Sequence, residues 1–202
     1  MRRISLLFLL FLLLLPISAY SAMGVSMELG GGSGQFDEND LIYETDVDTG
    51  YGNIGFVFDS NPYAEGSNFS YRLNAALERH DYEDDFGVTM ETGALVFDNT
   101  FAFTLIKSAN ANFWVGPQIR VGFLSGETDE EIFGDPLEIS GAMFGLGVVF
   151  GTNIKTSDHV GVGLSAGLRS TGLAGEMESG AFDDDFEAHT NEAFMNFALL
   201  FN

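Results

Sequence analysis

The chain has 202 residues, of which 30 are acidic and 8 basic, and its formal net charge of −22 at pH 7 leaves no electrostatic basis for binding nucleic acid. The absence of cysteine excludes disulfides and a lipoprotein anchor. Twenty-five glycines, 20 phenylalanines and only four prolines are typical of a β-protein with close backbone packing, and the length suits one domain.

Residues 1–21 have the features of a secretory signal peptide. They combine a basic start, a Leu/Phe-rich run at 4–17 and small residues at 18–21, with cleavage predicted after Ser21. The apolar run is too short for a membrane-spanning helix, and no other stretch of the chain is long enough. We therefore expect an exported mature chain, residues 22–202, that forms one domain.

The clearest pattern of the mature chain lies at residues 95–123. Apolar residues alternate with small or polar ones along two arms, which a short polar break near Ala109 separates. A period of two on both arms predicts two β-strands joined in a hairpin. Each arm exceeds ten residues, whereas strands of soluble sheets usually run for about five or six. One face is almost entirely large and apolar, as on a transmembrane barrel whose outer surface meets lipid and whose polar face lines the lumen.

The same alternation recurs along the chain and predicts eight strands. They span residues 24–34, 51–59, 68–80, 87–106, 111–125, 139–154, 160–170 and 189–202. The connections alternate between short and long, and the four long ones hold 22 of the 30 acidic residues and no basic one. This organisation predicts an all-β fold, an eight-stranded antiparallel up-and-down transmembrane β-barrel. Its short turns would face the periplasm and its acidic loops the outside.

Charged residues on the polar faces predict an ion-paired barrel interior. If the hairpin turns symmetrically near Ala109, Asp98 lies directly opposite Arg120, and buried charges are normally paired. The full predicted interior network is Glu28, Arg72, Glu78, Glu91, Asp98, Arg120, Arg169 and Glu192. We expect these side chains to plug the lumen, while glycines on the sixth and seventh strands leave room for some water.

The C-terminal segment adds a family resemblance. Phe197, Leu199 and Phe201 alternate with other residues up to Asn202, and Phe201 is the penultimate residue. With the signal sequence and the eight strands, this ending resembles the small outer-membrane β-barrel domains of the OmpA, OmpX and OmpW type. The resemblance is one of architecture over the whole mature chain. It implies the outer membrane of a Gram-negative bacterium, contact with its lipid and lipopolysaccharide, and assembly by the barrel-assembly machinery through the last strand.

An enzymatic role is the least favoured of the alternatives. Eight-stranded barrels that resemble the lipid A acylating and deacylating enzymes need a Ser/His/acid group near the membrane edge. In His189-Thr190-Asn191, Asn191 stands where the deacylase pattern has serine, and Thr190 points to the opposite face from His189. His80 and His159 fall at strand ends and are interpreted as rim residues. We therefore predict no catalytic residues, no cofactor and no enzyme activity.

The predicted function is a structural or surface-interaction role in the cell envelope, with acidic loops facing outward. The main alternative is a narrow channel for small or hydrophobic solutes, as in the OmpW-type barrels, and lipid A modification is the third. The acidic runs at 37–40 and 183–185 offer oxygen ligands that Ca²⁺ accepts but lack the spacing of a calcium loop. No metal site is predicted, although divalent cations could bridge these loops to lipopolysaccharide.

Overall fold

The computed structural model describes residues 21–38, 44–84, 89–132, 135–179 and 182–202. The predicted signal peptide, apart from Ser21, lies outside these ranges. Within them no helix has the length and apolar character needed to cross a membrane. The strands are β1 (Ala22–Glu38), β2 (Glu44–Asp59), β3 (Phe69–Asp84), β4 (Thr89–Lys107), β5 (Ala111–Ile132), β6 (Asp135–Lys155), β7 (Val160–Ser179) and β8 (Phe182–Phe201).

The eight strands form one closed ring, which confirms the predicted fold class. Each strand is antiparallel to the next, and β1 pairs with β8 to close the barrel. A row of directly opposite residues can be followed around the barrel from strand to strand. The row that starts at Asp183 on β8 returns to β8 at Ala193, ten residues further along. This offset is the shear that accompanies the tilt of barrel strands. Rows of directly opposite residues are therefore inclined to the barrel axis and do not lie in one plane perpendicular to it.

The outer face of the barrel is apolar over its middle. Every strand contributes large exposed apolar side chains, and Phe56, Leu168 and Met195 are 74%, 67% and 72% exposed. Leaving a side chain of this size in water costs roughly 1.5–3 kcal/mol relative to burying it. An apolar lipid environment removes that cost. It also meets few polar groups, because the alternation directs them to the inner face.

The strands extend further than the sequence pattern predicts at one end of the barrel. β5 continues to Ile132 and β7 to Ser179, past the predicted ends at 125 and 170. Much of the sequence expected to form long acidic loops is therefore hydrogen-bonded strand. The alternation reverses there: on β7, Leu173 and Met177 point inward while Glu176 and Glu178 are exposed, so the lipid-facing pattern ends although the backbone ladder continues. We call this end the acidic end and the opposite one, where Ala22 and Phe201 lie, the terminal end.

Acidic residues occupy directly opposite register positions on six neighbouring strands near the acidic end. We call this row the acidic stripe; its members, from β3 to β8, are Asp81, Glu91, Glu127, Glu138, Glu178 and Asp183. Directly opposite residues share a face, and like charges in such pairs destabilise a sheet. Arg79 supplies positive charge beside the stripe, forming ion pairs with Asp81 at 3.4 Å and with Glu91.

Neutralising one member of the acidic stripe should stabilise the barrel. Glu138→Gln removes repulsion with the directly opposite Glu178, and should raise the free energy of unfolding by about 0.2–1 kcal/mol. Urea unfolding in lipid vesicles measures this difference. Glu65→Gln, an exposed glutamate of the β2–β3 turn, is the matched control and should leave stability unchanged. An unaltered urea midpoint for Glu138→Gln would mean that the stripe carries no repulsive cost.

The inward faces form a packed interior with apolar and charged layers. Towards the acidic end lies an apolar cluster, here called the outer apolar layer, composed of Ala76, Ala94, Val96, Leu124, Ile139, Met143, Leu173, Met177 and Phe186. Phe36 stacks on Phe186 there, with ring centroids 5.2 Å apart. A second cluster, formed by Tyr51, Ala102, Trp114, Val149 and Phe194, lies nearer the middle of the barrel.

Glycines on the inner face make room for aromatic rings of the neighbouring strand. The pairs are Gly30 with Tyr51, Gly151 with Trp114 and Gly167 with Phe194. In each pair the two residues are directly opposite, and a Cβ on the glycine would overlap the ring. The expectation that glycines of β6 and β7 leave room for water is therefore corrected at Gly151 and Gly167, because the rings of Trp114 and Phe194 occupy that space.

Candidate functional site in the barrel interior

Two arginines and four carboxylates meet in the middle of the lumen. We call this set the central network; it consists of Glu28, Glu78, Asp98, Arg120, Arg169 and Glu192, drawn from β1, β3, β4, β5, β7 and β8. All six residues are buried, and each reaches the lumen because it occupies an inward position of the strand alternation. The network therefore fills the barrel cross-section with groups from six of the eight strands.

Arg120 joins two carboxylates through paired hydrogen bonds. Its Nε and Nη2 donate to Asp98 Oδ1 and Oδ2 at 2.8 and 3.1 Å. Its Nη1 and Nη2 donate to Glu78 Oε1 and Oε2 at 2.6 and 2.8 Å. Asp98 lies directly opposite Arg120 in the β4–β5 pair, as predicted, but the turn is not symmetric about Ala109. Lys107 pairs with Asn112, and a register shift between Thr104 and Ile106 restores the predicted pairing. Two-pronged pairs of this kind fix geometry as well as charge.

Arg169 forms the second centre of the network. Its Nε and Nη2 lie 3.0 and 2.9 Å from Glu192 Oε2, and its Nη1 lies 3.4 Å from Glu28 Oε1. Arg169 Nη2 also donates to the Tyr51 hydroxyl oxygen at 2.5 Å, and that hydroxyl donates to Glu28 Oε1 at 3.1 Å. The Tyr51 ring lies against the guanidinium groups of both Arg120 and Arg169, with centroid distances of 5.6 and 5.3 Å. Tyr51 therefore links the two centres.

The carboxylates of the central network outnumber its guanidinium groups, and neutral donors satisfy the remaining oxygen atoms. Asn53 Nδ2 donates to Glu78 Oε2 at 2.7 Å, and Thr190 Oγ1 donates to Glu192 Oε1 at 2.9 Å. Such bonds reduce the cost of burying charge. Across the described residues, no group of three or more His, Asp or Glu side chains is arranged to hold a metal ion.

His80 belongs to this interior, which corrects its interpretation as a rim residue. It is 2% exposed, its Nε2 lies 2.6 Å from Glu78 Oε1, and its ring stacks on Tyr82 with centroids 5.4 Å apart. The sequence contained a signal for this position, since His80 has the same strand parity as Glu78 and Arg72. Because β3 continues to Asp84, His80 lies within the strand and not at its end.

Glu91 does not lie in the lumen, and its predicted place in the interior network is corrected. Its side chain is 51% exposed on the outer face, where it pairs with Arg79. Glu91 has the parity of Leu95, an outward residue of the same strand, so alternation itself excludes an inward position. Thr92 occupies the adjacent inward position and is buried.

Arg72 points into the lumen but stays outside the central network. Within the described residues no carboxylate oxygen lies within 4.0 Å of its guanidinium group, although Asp59 is directly opposite on β2. Its Nη1 lies 3.4 Å from Asn153 Oδ1, and its guanidinium lies 5.6 Å from the centre of the Trp114 ring. Asp59 instead accepts hydrogen bonds from Ser70 and from the backbone N–H of Asn61.

The turn between β2 and β3 folds into the terminal end of the barrel. We call residues 60–66 the plug turn. The Pro62 carbonyl accepts hydrogen bonds from Asn112 Nδ2 at 2.9 Å and from Asn153 Nδ2 at 2.7 Å, and Pro62 is fully buried. Ala64 has a positive φ of 55°, and Lys107 Nζ donates to its carbonyl at 2.6 Å. The plug turn therefore caps the lumen from the side opposite the outer apolar layer.

A serine–histidine contact that the sequence search missed lies on the outer face. Ser170 Oγ is 3.0 Å from His189 Nε2 and donates to Asn191 Oδ1 at 2.9 Å. The search required serine and histidine on one strand, whereas Ser170 lies on β7 and the other two lie on β8. In the described part of the chain no carboxylate is hydrogen-bonded to His189, so the third member of a catalytic triad is missing.

The C-terminal residues singled out by the resemblance lie along the last strand. Phe197 and Phe201 are 46% and 48% exposed on the outer face, and Leu199 is half-buried between them in sequence. Met27, Val25 and Met23 of β1 are their direct partners, in the same order as Phe197, Leu199 and Phe201. This apolar row therefore runs along the seam that closes the barrel.

No protein-family model and no curated protein sequence matches this chain. Among solved structures, the outer membrane protein OprG from Pseudomonas aeruginosa shares 11% identity, with a TM-score of 0.56 over 89% of this chain and 96% of OprG. Neisserial surface protein A gives 10% identity and a TM-score of 0.40 over 86% and 95%. The outer membrane protease OmpT from Escherichia coli gives 9% and 0.41 over 89% and 95%. The likeness to OprG is one of fold: this chain has the fold of the outer-membrane β-barrels, with eight strands.

Proposed function

We propose that this protein is an integral barrel of the outer membrane of a Gram-negative bacterium, with a structural or surface-interaction role and no catalysis. One observation carries this proposal. The central network fills the lumen between the outer apolar layer and the plug turn, and its ion pairs lie 2.6–3.1 Å apart around Arg120. A pore needs a continuous polar path through the lumen. The outer apolar layer, the central network and the plug turn obstruct such a path.

The proposal includes an orientation and partners. The apolar outer face contacts outer-membrane lipid, the acidic end faces outward among lipopolysaccharide, and the terminal end faces the periplasm, as in other barrels with short periplasmic turns. Phe197, Leu199 and Phe201 would present the last strand to the barrel-assembly machinery. In support, these residues form an apolar row at the β8–β1 seam.

Planar-bilayer conductance tests the closed lumen. We expect the folded protein to give no steady, reproducible conductance steps. Gel mobility before and after boiling provides the control for folding, because a closed barrel resists detergent until it is heated. A sample that shifts on heating and also conducts in uniform steps would reject the proposal in favour of a channel.

A narrow channel for small or hydrophobic solutes is the second candidate, and the outer apolar layer favours it. Phe186, Met177 and Ile139 line the inward face at the acidic end, where an apolar solute would enter. We expect uptake of such a solute into vesicles to be the same with and without the protein. Uptake that depends on the protein and changes in Phe186→Ala would support the channel.

Lipid A modification is the third candidate, and it would use Ser170 and His189. Because His189 has no carboxylate partner among the described residues, we expect no hydrolytic activity from this pair. Mass spectrometry of lipid A should give the same species in cells with the wild-type protein, with Ser170→Ala and without the gene. A species that is altered only when Ser170 is intact would overturn this expectation.

A further inference from the structure

A small cavity lies inside the lumen, beside the central network. Its volume is about 20 Å³, and its lining includes Arg72, Asn74, Trp114 and Gln118 together with Glu28 and Asp98. The lining residues come from all eight strands, so the cavity is surrounded by groups distant in sequence. It adjoins the ion pairs already described through Glu28 and Asp98.

Four buried polar atoms on the lining have no hydrogen-bond partner within the described protein. They are Arg72 Nη2, Asn74 Nδ2, Trp114 Nε1 and Gln118 Oε1. The residues that carry them are 6%, 7%, 2% and 5% exposed, so bulk water cannot satisfy them. The other amide atoms of Asn74 and Gln118 have partners: Asn74 Oδ1 accepts from Ser26 Oγ at 2.6 Å, and Gln118 Nε2 donates to Thr100 Oγ1 at 3.5 Å. Buried polar groups are normally hydrogen-bonded, so four such atoms on one cavity lining point to a small polar ligand that pairs with them.

We propose that this cavity is a binding site for one water molecule. A buried water needs room for about one water-sized sphere, roughly 10–15 Å³, and two to four polar partners. The cavity volume of about 20 Å³ meets the first condition. Three donors and the Gln118 oxygen meet the second, because a water molecule both accepts and donates hydrogen bonds.

The charges around the cavity exclude the other small occupants. A cation would lie against the Arg72 guanidinium and the N–H groups of Asn74 and Trp114, which cannot coordinate it. The carboxylates of Glu28 and Asp98 are already paired with the arginines of the central network. An anion would accept from those donors but would also face the carboxylates of Glu28 and Asp98, which line the same cavity. Water carries no net charge and pairs with both kinds of group.

The water molecule would connect Arg72 to the rest of the interior. Arg72 has no carboxylate within 4.0 Å among the described residues, and its Nη1 already lies 3.4 Å from Asn153 Oδ1. Asn153 in turn donates to the Pro62 carbonyl of the plug turn. With water at Nη2, hydrogen bonds would run without a break from the plug turn, through Asn153 and Arg72, to the cavity beside Glu28 and Asp98. Arg72 would then form a water-mediated ion pair with the central network.

A crystal structure of the full-length mature barrel grown with sodium bromide tests the occupant directly. We expect density for one atom within hydrogen-bond distance of at least two of the four polar atoms, without an anomalous bromide signal. An anomalous peak in the cavity would overturn the proposal in favour of an anion site. A cavity without density would also overturn it.

Fluorescence supplies a second test in solution, because Trp114 is the chain's only tryptophan. Gln118→Leu removes the acceptor and fills the space, so the emission of Trp114 should move to shorter wavelength as its indole N–H loses the water. Gln35→Leu is the matched control: the same change on the outer face of β1, where Gln35 is exposed, should leave emission at the wild-type wavelength. Identical emission from all three proteins would contradict a water at Trp114.

Discussion

Replacing Arg120 with leucine should lower the free energy of unfolding by about 3–5 kcal/mol. Arg120 is 0% exposed and holds both Asp98 and Glu78 through paired hydrogen bonds. Its removal leaves two buried carboxylates without their main positive partner, and a buried uncompensated charge is among the most destabilising changes a protein can suffer. Urea unfolding in lipid vesicles measures the loss.

Arg79→Leu provides the matched control for this substitution. Arg79 also pairs with two carboxylates, Asp81 and Glu91, but its side chain is 65% exposed and solvent screens both pairs. Its loss should cost at most about 1 kcal/mol. Combining Arg120→Leu with Asp98→Asn should recover part of the lost stability, and adding Glu78→Gln should recover more. Failure of both combinations to recover any stability would show that the ion pairs are not the cause.

The second large effect is expected from adding a side chain where a ring packs on a glycine. Gly151→Val should lower the free energy of unfolding by about 3 kcal/mol, because the new Cβ would overlap the Trp114 ring directly opposite. The ring cannot move freely, since it lies in a packed cluster with Tyr51, Val149 and Phe194. Urea unfolding gives the magnitude, and a change in Trp114 emission would show that the ring has shifted.

Gly50→Val is the same substitution in open space. No heavy atom lies within 4 Å of a Cβ built at Gly50, which is exposed on β2. Valine favours strands and removes the flexibility of glycine from the unfolded chain, so this control should be neutral or slightly stabilising. Equal losses from the two variants would mean that glycine is needed for its backbone and not for the space it leaves.

The sequence sufficed to predict the architecture and one central contact. Alternation of apolar and polar residues identifies a strand wherever one face meets lipid and the other the lumen, so all eight strands were found in their membrane-facing parts. A hairpin that turns symmetrically near Ala109 predicts that Asp98 lies opposite Arg120. The structure reaches this pairing through a register shift between Thr104 and Ile106, which the alternation did not reveal. Glu78, Glu28, Arg169 and Glu192 could be assigned to the inner face by the same parity.

Other features depend on distances between side chains of different strands, which the alternation along the sequence does not give. Which carboxylate meets which arginine follows from the shear and from side-chain length, so the sharing of Arg120 between Asp98 and Glu78 could not be predicted. The plug turn looked like an ordinary turn, since its closure of the lumen rests on amides of Asn112 and Asn153 from other strands. Ser170 was missed because its contact with His189 crosses two strands. The placements of Glu91 and His80 were avoidable errors, because strand parity alone assigns Glu91 to the outer face and His80 to the inner face.

The extension of the strands beyond the apolar band affects what an external protease could cleave. Proteases act on chain that can adopt an unpaired, extended form, and such sites concentrate at exposed loop tips. The pairing of β5 with β6 extends to Ile132 and Asp135, with one irregularity between Glu127 and Glu131. With the acidic end facing outward, as proposed, limited digestion of intact cells should remove little of this hairpin. A peptide tag inserted between Ile132 and Asp135 would be held away from the membrane on a paired, stiff stalk.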